Sequence, residues 1–167
     1  MVSKATGLWI VKYYRKQHNL FFCSGILFNH ESPLRSNKFI FKKIIDFSKK
    51  IKKKNTKIHL GNINVQRDIG WAPDYVTAFW KMLQAKKAND YVIGSGNIYS
   101  IKHFLNLAFD QLKLDKRKII SNKKNFIRKN EILSYKSNPS LIKRKLGWKN
   151  SLSLKEIVKK MINEEYF

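Results

Sequence analysis

Three clusters of polar side chains have the residue types of a site that binds a phosphorylated ligand. They are the segment Asn29–Arg35, the run Gln66–Asp68, and the pair Arg128 and Glu131. Each cluster contains one of the chain's six arginines, whereas basic residues elsewhere are mostly lysine. A guanidinium group binds phosphate oxygens in a bidentate manner, which an ammonium group does not do. The clusters therefore predict phosphate recognition, with salt bridges from arginine to Asp68 and Glu131 as the alternative interpretation.

Other kinds of site lack the residues that they need. No histidine stands at metal-ligand spacing from another or from Cys23, so we expect no metal site. The chain has no Gly-x-Ser-x-Gly nucleophile elbow and no phosphate loop. Gly94-Ser95-Gly96 lacks the third glycine and the acidic residue of a dinucleotide fingerprint, and it predicts a tight strand-to-helix turn. The scattered histidines are His18, His30, His59 and His103.

Apolar periodicity and capping residues predict the helices that position these clusters. Two predicted helices cover residues 3–18 and 38–53, a third begins near Pro73, and a fourth has Ser100 as its N-cap. A fifth has Asn138 as its N-cap, Pro139 in the first position and Gly147 at its end. The sixth begins at a capping box of Ser153 and Glu156. In the segment 38–53 the apolar residues fall on one face, which places the lysines on a solvated face. The helix after Pro73 has an apolar face made of Val76, Phe79, Trp80 and Leu83.

Short apolar segments between the helices are typical of strands. They are Leu20–Leu27, Lys57–Leu60, Tyr91–Ile93, Lys118–Ile120 and Ile132–Tyr135. Strands that alternate with helices predict an α/β fold with a largely parallel sheet. Ligands of such sheets bind beyond the carboxyl ends of the strands. We therefore expect Asn29–Arg35, which follows the most apolar strand, to form a binding loop.

The charge of the chain has two interpretations. A net charge of +24 at pH 7 is typical of proteins that bind nucleic acids or anionic membranes. However, the excess is almost all lysine, whereas specific nucleic-acid recognition relies on arginine. We therefore predict a solvated lysine surface, with neither a nucleic acid nor a membrane as partner. The competing interpretation is a basic RNA-binding or interaction module that uses the face Lys49–Lys54.

Length and cysteine content limit the class of protein. A chain of 167 residues with 43% hydrophobic side chains is expected to fold as one domain or as a fragment of a larger one. The single cysteine, Cys23, forms no internal disulfide, so a cytoplasmic location is expected. The apolar run Leu20–Phe28 is too short to span a membrane.

Three segments of the chain resemble a known enzyme family. They read GILFNHESPLR (Gly25–Arg35), GNINVQRDIGWAPDYVTAFW (Gly61–Trp80) and YVIGSGNIYSIKHFLNLAF (Tyr91–Phe109). They closely resemble GDP-mannose 4,6-dehydratases, which are hydro-lyases of the extended short-chain dehydrogenase/reductase superfamily. The segment Asn138–Trp148 resembles the general tail of sugar-nucleotide dehydratases and epimerases. Another nucleotide-sugar epimerase or reductase is the alternative within this class.

The resemblance implies the C-terminal part of an extended short-chain dehydrogenase/reductase fold. Residues 1–36 would be a residual Rossmann segment, with the catalytic-lysine helix and the following strand. Residues 37–167 would be mainly the nucleotide-sugar-binding part, interleaved with Rossmann elements. The implied reaction converts GDP-mannose to GDP-4-keto-6-deoxy-mannose with NADP, in the nucleotide-sugar metabolism that leads to GDP-fucose. The implied partner is a further copy of the chain, in a homo-oligomer, or a chain that supplies the N-terminal half.

The resemblance also implies roles for individual residues. Lys4 would be the catalytic lysine of a Tyr-x-x-x-Lys motif, in which an ammonium group stabilises the phenolate and lowers the pKa of the phenol. The cofactor-binding residues would be Lys4, His30 and Arg35. The substrate-binding residues would be Asn29, Lys43, Arg67, Arg128 and Glu131. The chain departs from the family at Leu34, Ser36 and Lys129, where Arg, Gly and Pro are usual.

Several parts of the family's machinery have no counterpart in the 167 residues. These are the glycine-rich loop and the catalytic threonine, glutamate and tyrosine, and the tyrosine would stand immediately before Met1. The resemblance therefore implies a truncated chain that is inactive alone. The segment Leu20–Leu27 and the neighbouring helix faces would then be partly uncovered.

Overall fold

The chain alternates helices with short strands, as its periodicity predicts. The computed structural model describes residues 2–53, 57–120 and 131–166. The helices are α1 (Val2–Gln17), α2 (Ile40–Lys53), α3 (Ala72–Leu83), α4 (Ile101–Leu112), α5 (Ser140–Leu146) and α6 (Leu154–Asn163). The strands are β1 (Ser24–Leu27), β2 (Asn29–Glu31), β3 (Ile58–His59), β4 (Gln66–Trp71), β5 (Asp90–Ile93), β6 (Ile98–Ser100) and β7 (Ile119–Ile120), and a short 3-10 helix, Lys116–Lys118, precedes β7.

Local capping sets the ends of three helices as the sequence predicts. The Ser100 hydroxyl accepts a hydrogen bond from the backbone N–H of the third residue of α4. Ser153 and Glu156 form the predicted capping box at the start of α6. Gly147 ends α5 with a φ of 61°, a left-handed conformation that glycine adopts without a steric penalty.

Two helices begin next to a proline. Pro73 lies in the first turn of α3, after Trp71 in the N-cap position. The predicted start of α5 is wrong by one residue, because Pro139 rather than Asn138 occupies the N-cap position. The Asn138 side chain still caps this helix, since its Oδ1 accepts the N–H of Ser140 at 3.1 Å.

The strands pair mostly in parallel, which confirms the predicted α/β class. β1 pairs with β5, β2 with β4, and β3 with β7, all in parallel. β6 pairs with β4 in the antiparallel direction, so β2, β4 and β6 form a sheet with β4 in the centre.

Four strand-level expectations are wrong, and two strands were not predicted. The predicted strand Leu20–Leu27 is only four residues long, and part of the predicted loop Asn29–Arg35 is strand β2. Gly94-Ser95-Gly96 leads into strand β6 before the helix starts. Strands β4 and β6 were not predicted, since polar residues begin β4. Ile132–Tyr135 forms no strand. It lies beside β4, where the Gln66 N–H donates to the Leu133 carbonyl at 2.7 Å.

Two apolar clusters form the core of the described residues. The larger one packs α2, α4 and α6 together with β3 and β4, and its aromatic centre is Phe41 against Phe104, with ring centroids 4.7 Å apart. The smaller one joins α3, β5 and α5 through residues such as Tyr75, Ile93 and Trp148. Lys50 and Lys52 of α2 are exposed, as its periodicity predicts, whereas Lys42, Lys43 and Lys49 are half-buried. The domain boundary at residue 36 stays a prediction.

A broad apolar surface remains exposed. Helix α1 buries none of its side chains, and Trp9 is 67% exposed. In α3 the predicted apolar face points outward, with Trp80 63% exposed, because Tyr75, Ala78 and Met82 form the buried face. The segment Leu20–Leu27 is partly uncovered, as expected. Within the described ranges, no helix combines the length and apolar character needed to cross a bilayer.

Candidate functional site

A cleft of about 460 Å³ lies where β2, β4, the start of α2 and the segment 131–135 meet. We call it the central cleft. Four of the five predicted substrate-binding residues line it. They are Asn29, Lys43, Arg67 and Glu131, and further lining residues include Lys38, His59 and Tyr135. The fifth predicted residue, Arg128, lies outside the described residues, as do Lys129 and Lys54.

The Arg67 guanidinium is held in the central cleft by several contacts. Its Nη1 donates to the carbonyls of Gln66 and Ile132, at 2.7 and 2.9 Å. Its Nη2 lies 3.9 Å from Glu131 Oε1, which is an ion pair longer than a hydrogen bond. The Tyr135 ring centroid lies 4.7 Å from Arg67 Cζ, within the range of a cation–π contact. Arg67 thus has a fixed position, and within the described ranges no carbonyl accepts a hydrogen bond from its Nη2.

Asp68 has a different role from the surface ion pair considered as the alternative. Its side chain is fully buried, and its carboxylate accepts five hydrogen bonds from Ser95, Gly96 and Ser137. Three of the donors are backbone N–H groups. The carboxylate therefore links β4, which carries Asp68, to the turn after β5 and to the backbone at Ser137. A Cβ on Gly94 would collide with the Ser137 side chain, which shows how closely these segments approach. Of the two salt bridges considered as the alternative, only the one between Arg67 and Glu131 therefore forms, and it is a long one.

Asn29 is positioned by two tyrosines. The Tyr75 hydroxyl donates to the Asn29 carbonyl at 3.2 Å, and the Tyr135 hydroxyl donates to Asn29 Oδ1 at 2.7 Å. The Asn29 side chain therefore directs its NH₂ group away from Tyr135. Sequence reasoning missed Tyr135, which stood in a predicted strand, because no local pattern reveals a contact across more than a hundred residues.

Of the predicted cofactor-binding residues, His30 lies on β2 and Arg35 lies in the turn after it. His30 Nδ1 lies 2.9 Å from the Phe28 carbonyl, and because a carbonyl only accepts, Nδ1 carries the proton and Nε2 is left as an acceptor in the neutral ring. The Arg35 guanidinium stacks on the Phe39 ring at 3.7 Å. Lys4 is exposed on α1, and among the described residues no hydrogen bond or ion pair connects it to His30 or Arg35.

Glu31 is a buried acid that the sequence analysis did not single out. Its side chain is 1% exposed, and Arg35 Nε lies 3.8 Å from Oε2, too far for a hydrogen bond. Neither carboxylate oxygen nor Arg35 Nε has a hydrogen-bond partner among the described residues. Burial raises the pKa of Glu31 from 4.5 to about 7, and the nearby Arg35 charge opposes this rise only in part.

The raised pKa of Glu31 predicts how stability depends on pH. The folded chain holds this proton up to about pH 7, whereas the unfolded chain releases it near pH 4.5, so stability falls as the pH rises through this window. A Glu31→Gln variant has no proton to lose. Above pH 7 we expect it to unfold with a free energy up to about 3 kcal/mol larger than the unsubstituted chain, with the difference gone at pH 4. Urea unfolding of both chains at the two pH values measures this. A variant that is equally or less stable above pH 7 would contradict the burial argument.

Two other features of the surface do not form a comparable site. An open depression of about 660 Å³ lies between α4 and α6, and none of the predicted site residues lines it. In the ranges that the structure describes, no group of three or more histidine, cysteine or acidic side chains could hold a metal ion. The central cleft is therefore the candidate site.

Comparisons with known proteins identify the family of the chain. The family described as GDP-mannose 4,6 dehydratase matches residues 1–161. GDP-mannose 4,6 dehydratase 1 from Arabidopsis thaliana is 38% identical over 164 residues, which are 98% of this chain and 45% of the relative. GDP-mannose 4,6 dehydratase from Homo sapiens is 32% identical, and the match covers 98% of this chain and 49% of the relative. The chain spans about half the length of the curated relatives it matches.

Solved structures show the same fold. RMD from Pseudomonas aeruginosa, complexed with NADPH, has a TM-score of 0.88 at 19% identity and covers 98% of this chain and 54% of its own. A dTDP-glucose 4,6-dehydratase from Bacillus anthracis, in complex with NAD, has a TM-score of 0.85 at 16% identity. The match covers 98% of this chain and 50% of the dehydratase. The fold is therefore that of part of an extended short-chain dehydrogenase/reductase, as the resemblance implied.

Proposed function

The chain belongs to the GDP-mannose 4,6-dehydratase family, and on this premise we propose that it forms the nucleotide-sugar-binding part of a hydro-lyase that converts GDP-mannose to GDP-4-keto-6-deoxy-mannose with NADP. The observation that carries the proposal is the convergence of Asn29, Lys43, Arg67 and Glu131 on one cleft. These residues come from four separate segments of the chain.

The chemistry of the central cleft suits a nucleoside diphosphate sugar. A diphosphate needs cationic donors, and Arg67 and Lys43 line the cleft with Lys38 beside them. The Asn29 amide offers donors to a sugar oxygen. Glu131 offers acceptor oxygens, which suit the hydroxyls of the guanosine ribose. The weak ion pair between Glu131 and Arg67 leaves both groups able to bind ligand atoms.

The residues around β2 fit a nicotinamide dinucleotide. Arg35 Nε is buried without a hydrogen-bond partner among the described residues, and the Arg35 Cζ atom lies 3.7 Å from the Phe39 ring centroid, which positions the rest of the guanidinium. We propose that Arg35 and the Nε2 atom of His30 hold this cofactor, with Lys4 at its ribose. When bound, the nicotinamide supplies a reversible hydride acceptor for carbon 4 of the sugar. The role of Lys4 in this chain is to stabilise a phenolate beside it.

The exposed apolar surface supports a further part of the proposal. Neither a glycine-rich loop nor a Tyr-x-x-x-Lys motif occurs within the 167 residues, so we propose that these groups come from outside them. Trp9 and Tyr13 of α1 and Trp80 and Leu83 of α3 are each more than 60% exposed, which is unusual for large apolar side chains. A polypeptide with the N-terminal half, or a second copy of the chain, would cover them.

The basic-module alternative receives less support from the contacts. In the face Lys49–Lys54 that this alternative uses, Lys49 Nζ lies 2.6 Å from Glu164 Oε1. Lysines paired with carboxylates in this way contribute less to a polyanion site. The alternative also predicts binding that weakens steeply with salt and does not depend on Arg67. The cytoplasmic location stays a prediction.

The proposal is tested by a pair of activity measurements. The isolated chain, incubated with GDP-mannose and NADP, should form no 4-keto product. A fusion should form it when the chain follows the part of the Arabidopsis relative that precedes the matched segment. The same fusion with Arg67→Ala is the matched control and should be slower. Product from the isolated chain, or none from a folded fusion that binds NADP, would contradict the proposal.

A further inference from the structure

Tyr135 connects two residues of the central cleft that belong to different strands. Its hydroxyl donates to Asn29 Oδ1 at 2.7 Å, and its ring centroid lies 4.7 Å from Arg67 Cζ. The ring also contacts Phe28, with centroids 5.7 Å apart. One side chain thus contacts both the residue that we assign to the sugar and the residue that we assign to the diphosphate.

The segment that carries Tyr135 is fixed at both ends. Before Tyr135, the Leu133 carbonyl accepts the N–H of Gln66 at 2.7 Å. After it, the backbone N–H and hydroxyl of Ser137 both donate to the buried Asp68 carboxylate, at 3.1 and 2.6 Å. The tyrosine ring therefore stands on a backbone that is bonded to β4 on either side, and its contacts belong to an ordered part of the cleft.

The hydroxyl of Tyr135 determines which atoms Asn29 presents to a ligand. An asparagine side chain has one acceptor oxygen and two N–H donors. Because Tyr135 donates to Oδ1, the amide is oriented so that its two N–H donors have no partner among the residues that the structure describes. Asn29 is then prepared to recognise an acceptor oxygen, such as a sugar oxygen lone pair, and poorly prepared to accept a hydrogen bond.

The ring of Tyr135 acts on Arg67 by a separate interaction. It packs against the guanidinium while the carbonyls of Gln66 and Ile132 occupy Nη1. The cation–π contact does not consume an N–H donor, so Nη2 can still donate to a phosphate oxygen. Hydroxyl and ring therefore position two different ligand contacts.

We propose that Tyr135 is a specificity-determining positioning residue: its hydroxyl orients Asn29 for the sugar, and its ring holds Arg67 for the diphosphate. This inference rests on the proposed function, because it presumes that the central cleft binds GDP-mannose. It adds a consequence that the family assignment does not contain. The two parts of Tyr135 should separate sugar recognition from nucleotide recognition.

The test compares the affinities of the full chain for GDP-mannose and for GDP. Tyr135→Phe removes only the hydroxyl, and we expect GDP-mannose to bind about 5-fold more weakly while GDP is unaffected, as for one lost neutral hydrogen bond. Tyr135→Leu also removes the ring, and both ligands should bind more weakly. Tyr166→Phe is the matched control, because Tyr166 is 45% exposed and does not line the cleft, and it should change neither affinity.

A substitution at Asn29 tests the orientation of the amide independently. Asn29→Asp keeps the acceptor for Tyr135 and replaces the free donors by an oxygen. We expect this variant to lose more affinity for GDP-mannose than for GDP. If Tyr135→Phe binds both ligands like the unsubstituted chain, or weakens both equally, the inference is wrong and the proposed function stands. If the unsubstituted chain binds neither ligand, the proposed function itself is wrong, and this inference with it.

Discussion

Asp68→Ala should lower the free energy of unfolding by about 4 kcal/mol, more than any other single substitution in the cleft region. The Asp68 carboxylate is fully buried and accepts five hydrogen bonds from Ser95, Gly96 and Ser137. Alanine would leave the backbone N–H groups of Ser95 and Ser137 without this acceptor, at about 1–3 kcal/mol for a buried group before relaxation. The Gly96 N–H would keep only the Ser137 hydroxyl, at 3.1 Å. Urea unfolding monitored by tryptophan fluorescence measures the loss.

The matched control for this substitution is Asp110→Ala. Asp110 pairs with Lys116 at 2.8 Å, but its side chain is 57% exposed, so its removal should change stability by less than about 1 kcal/mol. A similar small effect for Asp68→Ala would show that the buried carboxylate does not hold the three segments together. Because Ser137 follows Tyr135 closely, we also expect Asp68→Ala to weaken binding at the central cleft.

Arg67→Ala should weaken the binding of GDP-mannose by about 30- to 100-fold, which corresponds to about 2–3 kcal/mol for a charge-assisted contact to phosphate. The guanidinium is already held by two carbonyls and the Tyr135 ring, so little side-chain entropy is lost when a diphosphate binds. Calorimetric titration of the variant and the unsubstituted chain at moderate salt measures the difference.

Two further variants separate a specific contact from a general charge effect. Arg67→Lys keeps the positive charge but lacks the planar guanidinium group, and it should bind GDP-mannose with intermediate affinity. Arg144→Ala removes the same charge from an exposed position on α5, away from the cleft, and should leave affinity unchanged. Equal losses for Arg67→Ala and Arg144→Ala would indicate that only net charge attracts the ligand, as the basic-module interpretation requires.

Local sequence signals predicted the helices well, because caps and periodicity act within a few residues. Ser100 and the capping box at Ser153 illustrate this, and both occur as predicted. The same periodicity identified an apolar face on α3 but not the direction in which it points. Trp80 and Leu83 are exposed, while Tyr75 on the other face is buried. An apolar stripe shows that a surface can be covered, and the covering partner need not be in the same chain.

Strand β4 escaped prediction because its stability comes from distant partners. It begins with Gln66, Arg67 and Asp68, and polar residues at this density are typical of a loop. The strand forms because β2 and β6 pair with it on either side and because Asp68 is satisfied by groups far along the chain. Periodicity cannot detect such long-range compensation.

The candidate site was predictable in part. Resemblance to the family singled out Asn29, Lys43, Arg67 and Glu131, and the structure brings these four together. The functions of Tyr135 and Asp68 were not predictable, because each depends on contacts between distant segments. Glu31 was overlooked for a similar reason: only the fold shows that this acid is buried beside Arg35, with no hydrogen bond to any described residue.

The sharpest test of the proposed function is a calorimetric titration of the unsubstituted chain with GDP-mannose and, in parallel, with UDP-glucose. A cleft built for GDP-mannose should give saturable one-to-one binding with GDP-mannose, clearly weaker binding with UDP-glucose, and an affinity that persists at moderate salt. No binding of GDP-mannose, or equal binding of both sugar nucleotides, would contradict the assignment of the central cleft.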